Sequence, residues 1–143
     1  MKRVLVIEDG DEYATFARAL LADAVELDVA HSGEEALAKA GAAERFLVDL
    51  RFDRLDAARL VGDLEAVGHE LFGGDRARSL RHVQDQQGLY ILRELRAAGH
   101  PQRAVFVHDF PVRRLRNVRG LYGDVAAVPA FDADALRTLL GGP

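Results

Sequence analysis

Acidic residues close three short apolar runs of this sequence. Val4–Ile7 ends in Glu8-Asp9, Phe46–Val48 ends in Asp49, and Ala104–Val107 ends in His108-Asp109. An acid at the end of a buried run costs free energy unless something pairs with it or binds it. Close carboxylates repel one another and raise their pKa values unless a cation sits between them. Mg²⁺ suits such a place: it takes oxygen ligands, keeps several waters, and needs only one or two carboxylates. A carboxylate beside that metal can attack a phosphoryl donor and become an aspartyl phosphate. Glu8 and Asp9 as metal ligands and Asp49 as acceptor form a coherent chemical set.

The acids need a frame. Val4–Ile7 is β-branched and apolar, which predicts a buried strand. Tyr13, Phe16, Ala17, Leu20 and Leu21 follow at helical spacing. Val25, Leu27 and Val29 alternate with polar residues and predict a half-buried strand. Ser32 is placed to cap the next helix, with Glu35 in the capping-box position. Phe46–Val48 is a third strand, Ala104–Val107 a fourth and Val125–Val128 a fifth. Helices are predicted at 89–95, closed by Gly99 and Pro101, at 112–121, and at 133–140 with Asp132 as cap. Strands alternating with helices predict a parallel sheet covered on both faces. Ligands bind such sheets beyond the carboxyl ends of the strands. That rule brings Glu8-Asp9, Asp49 and His108-Asp109 to one rim.

Composition narrows the function. The chain has 143 residues, 49% of them apolar, enough for a single domain over 1–143. Net charge is −4, so no global electrostatic case for nucleic acid exists. There is no cysteine, which removes disulfides and thiolate metal sites. The five histidines show no zinc-ligand spacing. No run reaches membrane-span length, and the N-terminus is too short for a signal peptide. A cytoplasmic protein is expected.

VLVIEDGDEY (4–13), HSGEEALAKA (31–40), RFLVDLRF (45–52) and DQQGLYILRELRAAG (85–99) together resemble the receiver domain of bacterial response regulators. FDADALRTLL (131–140) looks like that family's last helix. The resemblance covers roughly residues 1–52 and 85–140. It implies a doubly wound, flavodoxin-like sheet in the order 2-1-3-4-5, for which receivers are a standard example. It also implies Asp49 as phosphoacceptor, Glu8 and Asp9 as the acidic pair, and the Arg51 backbone carbonyl as a third metal contact. A protein partner, a histidine kinase or a downstream effector, is implied, with a homodimer as another route for output. No separate output domain is expected, and no enzymatic activity beyond accepting a phosphoryl group.

The departures are specific. His108 stands where the family has Thr or Ser. The family's Lys falls on Val128 or Pro129, depending on alignment, and its strand-five aromatic on Val125 or Ala126. A substitute cation is expected from protonated His108, Arg51, Arg76, Arg78 or Arg81. Between Asp49 and the helix opened by Gly88 there is room for about 30 extra residues, and loops of that length are usually functional or disordered. Over this insertion, about 53–84, Leu55, Ala58, Leu60, Leu64 and Val67 are spaced like an amphipathic helix, and at least one packed helix is expected. A lid over the acids or a dedicated partner surface is expected there. The arginines at 76–81 and 113–119 are either solvated helix faces or partner surfaces, without the aromatic interleaving that favours single strands.

Two alternatives stand beside the phosphorylated receiver. One is a pseudo-receiver that binds its partner constitutively. The other, more distant, is a Mg²⁺-dependent phosphohydrolase with an Asp nucleophile. That chemistry needs a second Asp two residues later, where this chain has Arg51.

Overall fold

Side chains on both sides of β1 (Lys2–Ile7) are buried, which explains its unbroken apolar run. Leu5 and Ile7 enter one core, and Val4 and Val6 the other. The computed structural model describes residues 1–143. Four more strands flank β1: β2 (Val25–Ala30), β3 (Arg45–Val48), β4 (Ala104–Val107) and β5 (Val125–Val128). All pairs are parallel, and the order is β2-β1-β3-β4-β5. This is the doubly wound sheet expected, in the expected order.

The ladder continues into the residues that matter. The Glu8 amide donates to Ala30 O, the Asp49 amide to Ile7 O, and the His108 amide to Val128 O. These bonds hold all three strand ends along one edge.

Helices α1 (Glu12–Leu20) and α7 (Ala133–Gly141) cover one face through Ala14, Ala17, Leu136 and Leu140. Helices α2 (Gly33–Lys39), α5 (Gln87–Ala97) and α6 (Val112–Tyr122) cover the other through Ala36, Ile91, Leu92, Leu95 and Val118. Ser32 caps α2, accepting from the Glu35 amide at 3.2 Å, and Asp132 caps α7 through the Asp134 and Ala135 amides. The Glu35 side chain does not return to the Ser32 amide. It meets the Ser32 hydroxyl and Arg59 instead.

The insertion holds two helices, where at least one is expected, but no helix runs from Leu55 to Val67. A short 3₁₀ turn covers Ala57–Arg59, and two helices follow, α3 (Leu64–Leu71) and α4 (Arg76–Asp85). Leu60 is extended, and Gly62 takes φ 129°, a region that disfavours side chains. The break has a tertiary cause. Gln87, fully buried at the start of α5, clasps Val61. Its Oε1 accepts the Val61 amide at 2.8 Å and its Nε2 donates to the Val61 carbonyl at 2.9 Å. A helix through Val61 would lose both bonds. Gly73 and Gly74, both at positive φ, turn the chain between α3 and α4.

The segment is also anchored at its root. Phe52 is fully buried in the core under α5, worth about 1.5–3 kcal/mol, and its amide donates to Gln84 O at 2.9 Å. Gly88 lies so close that an added Cβ would collide with the Asp49 carbonyl.

Candidate functional site

Glu8 ends β1 with a fully buried carboxylate. Asp11, the residue before α1, does not cap the helix with its side chain. Glu8 does that work from outside: its two oxygens accept the Tyr13 amide at 3.0 Å and the Ala14 amide at 2.9 Å. First-turn amides have no partner within their own helix, and the helix dipole favours an anion there. The Glu8 charge is thereby held in place without a cation.

Asp9 faces the root of the insertion. Its Oδ2 accepts the Arg54 amide at 2.7 Å. The Arg54 guanidinium pairs with Glu12 and holds that carboxyl below its ordinary range. It passes directly over Gly10, where an added Cβ would collide with it. The 53–55 stretch therefore lies against the acidic loop, while the helical part of the insertion leans on α5. Only the root of the segment reaches the acids.

Asp49 is half-buried at the end of β3. Its Oδ1 accepts the Tyr13 hydroxyl and the Arg51 amide, each at 3.3 Å. Burial pushes its pKa up to about 6, and the charges of Asp9 and Glu8 push the same way. The Arg51 amide and the Tyr13 hydroxyl oppose them. Burial, then Asp49 itself, raises the Tyr13 phenol above its ordinary value, so Tyr13 stays a neutral donor. The same hydroxyl lies 3.3 Å from the Val107 carbonyl at the end of β4. The Tyr13 ring is held edge-on to Phe131, with centroids 4.9 Å apart.

His108 packs edge-on to Phe110 at 4.7 Å and makes no side-chain hydrogen bond to Asp49. Burial, then the neighbouring Arg114, pushes its pKa down. The neutral imidazole is favoured at pH 7, which weakens the case for a protonated His108. The other expected cations lie elsewhere. Arg51 Nε meets Asp85 at 3.2 Å, and Arg78 lies over the Phe72 ring. Arg81 lines a hollow with Phe72 and His82, and Arg76 another with Glu65 and His69. At β5, Val128 is the last strand residue and is buried, with Pro129 beyond it. No basic side chain is hydrogen-bonded to Asp49.

No group of three or more His, Asp or Glu side chains stands at metal-holding spacing. What the edge offers is an oxygen-only set: two carboxylates, Asp9 and Asp49, beside an Arg51 whose carbonyl is available. Burial raises the Asp49 pKa first, and the Asp9 and Glu8 charges, which a cation would offset, add to the rise. This donor set fits Mg²⁺, for which two carboxylates suffice. Glu8 contributes by aiming the loop.

Two site residues were not evident from the sequence. Tyr13 reads as an apolar helix position, and its hydroxyl carries no sequence signal except its place in the first turn after the acidic loop. Arg54 lies within the insertion, and its contact is made by its backbone amide.

No family model matches the sequence, and no curated protein matches it significantly. Solved structures do. A response regulator from Burkholderia pseudomallei, with a phosphorylated aspartic acid and a calcium ion, aligns at TM-score 0.60 and 20% identity over 98% of this chain and 66% of that one. The response regulator TrrA of Thermotoga maritima, in complex with Mg²⁺ and beryllium fluoride, aligns at TM-score 0.58 and 19% identity over 96% and 94%. The chemotaxis protein CheY4 of Vibrio cholerae aligns at TM-score 0.61 and 17% identity over 95% and 92%. The chain has the fold of response-regulator receiver domains. No helix is long and apolar enough to cross a membrane.

Proposed function

We propose that this chain is an atypical receiver module of a two-component-type pathway, with Asp49 as phosphoacceptor. One observation carries the reading: Asp49 closes β3 with a half-buried carboxylate whose pKa is raised by burial and then by the neighbouring charges of Asp9 and Glu8. Asp9, Asp49 and the Arg51 carbonyl would hold Mg²⁺, which supplies charge neutralisation for an incoming phosphoryl group. An Asp49 oxygen attacks phosphorus, the donor's bridging P–O bond breaks, and the leaving group departs with that electron pair. Tyr13 and the Arg51 amide hold the acceptor carboxylate by one oxygen, leaving the other free to react. Output passes through a protein partner.

One observation favours the second reading, a pseudo-receiver that binds constitutively. No cationic side chain touches Asp49, and the end of β5 carries Val128 and Pro129. Removal of one preorganised charge-stabilising donor typically costs about 10²–10³ in rate.

The deciding experiment is incubation with Mg²⁺ and acetyl phosphate, read by intact mass. Gain of one phosphoryl group, absent in Asp49→Asn, supports the first reading. No gain after long incubation, with the protein folded, sinks it and leaves the pseudo-receiver.

A further inference from the structure

Two arginine clusters far apart in sequence meet across α5. Arg78 and Arg81 lie on α4, and Arg114 on α6. Two adjoining hollows, of about 360 and about 280 Å³, share His82 in their walls. The first lies over α4, and the second between α4, α5 and α6. Together they make one groove.

A run of rings lies along it with an arginine at each end. Arg78 lies over Phe72 at 4.9 Å from the ring centre, Phe72 meets His82 at 5.6 Å, His82 meets Tyr90 at 6.4 Å, and Arg93 lies over Tyr90 at 5.1 Å. Only two of the six residues lining the first hollow are hydrophobic, so an apolar ligand does not suit it. Arg78, Arg81 and Arg114 take part in none of the protein's eight ion pairs. Arg93 meets Glu94 at 3.7 Å. The acid in the groove wall, Asp85, is already bound by Arg51. The groove therefore concentrates positive charge in a protein whose net charge is −4.

We propose that this groove binds an acidic, extended segment of a protein partner, with Asp or Glu side chains meeting Arg78, Arg81 and Arg114. A planar guanidinium matches a carboxylate with two parallel hydrogen bonds. Phe72 beneath Arg78 and Phe110 beneath Arg114 fix those two guanidinium planes, so less freedom is lost when an acid arrives. Nucleic acid fits less well. Single strands need open aromatic faces for base stacking, and the faces of Phe72 and Tyr90 are covered by Arg78 and Arg93. A long polyanion would also run off the patch onto an acidic protein. The groove needs nothing from Asp49, so it serves either reading of the site.

The test uses the full chain and a short fluorescein-labelled peptide of alternating Glu and Leu. A labelled oligothymidine of equal charge is the second probe. Anisotropy should report peptide binding that weakens as salt rises. Backbone NMR shifts should fall on α4, the first half of α5, and α6. Arg78→Glu with Arg81→Glu should lower affinity about tenfold or more, since like charges then meet the ligand. Both positions are exposed, and circular dichroism checks the fold. Arg81→Gln is the milder second variant and should weaken binding in the same direction. Asp49→Asn should bind as wild type does, which separates this result from the fate of the phosphoacceptor. Absent binding, shifts elsewhere, folded variants with unchanged affinity, or tighter binding of oligothymidine would each overturn the proposal.

Discussion

The Tyr13 hydroxyl stands between Asp49 Oδ1 and the Val107 carbonyl, 3.3 Å from each. It has one proton for two acceptors. Helix α1, the end of β3 and the end of β4 are thereby joined at a single atom. In a site that has neither a hydroxyl at His108 nor a cation at β5, this phenol is the one side-chain donor on Asp49.

Tyr13→Phe keeps the ring against Phe131 and removes the donor. The hydroxyl opposes the rise in the Asp49 pKa, so its loss should move that carboxyl above its value of about 6. Carboxyl ¹³C shifts followed through a pH titration give the answer. The variant should also lose about 1 kcal/mol of stability, read by urea unfolding. An unmoved Asp49 titration would remove Tyr13 from the site.

Asp49 gives the stability of the protein a pH dependence of definite sign. Its folded pKa, about 6, lies above the ordinary 3.8. The folded state thus holds the proton more tightly than the unfolded state. The stability it contributes is complete below pH 3.8 and is lost as pH rises through about 6. Asp49→Asn escapes this loss. At pH 7 it should be more stable than wild type by on the order of 1–2 kcal/mol, discounted for partial solvent exposure. The two urea curves should merge below pH 3.8. Mg²⁺ at pH 7 should stabilise wild type and leave the variant unchanged, because ligands of the folded state add stability by mass action. A pH-independent gap would show that Asp49 titrates normally.

Gln87→Leu tests the clasp on the insertion. Val61 would lose a partner for both its amide and its carbonyl in a half-buried place. A loss of about 2–4 kcal/mol is expected. Hydrogen exchange at the Val61 amide should accelerate well beyond that at the β1 amides. Equal acceleration everywhere would mean that the clasp serves the whole domain and not the insertion.

The readable parts of this protein are the ones decided locally. Val4–Ile7 announces a strand because both its faces are buried, and Ser32 and Asp132 sit one step before the helices they cap. The rim of acids follows from topology once the strands are in order. What the sequence hides depends on partners brought from a distance. The spacing from Leu55 to Val67 suits a helix, but Gln87 takes both backbone groups of Val61 and Gly62 has a positive φ. Glu8 looks like a metal ligand until α1 turns its amides toward it. The arginines of α4 and α6 read as separate clusters, solvated or partner-facing, until α5 sets Tyr90 between them. Tyr13 is the sharpest case: its ring follows the helical period, and its oxygen alone belongs to the site.

The bond from the Phe52 amide to the Gln84 carbonyl has a consequence for the history of this chain. It brings the two ends of the extra segment together at one doorway, beside the fully buried Phe52. A loop whose ends already touch can be lengthened, exchanged or cut short without moving the sheet that carries it. The exposed faces of the segment's helices are where change costs least, while Val61 and Val83 keep its inner side tied to the domain.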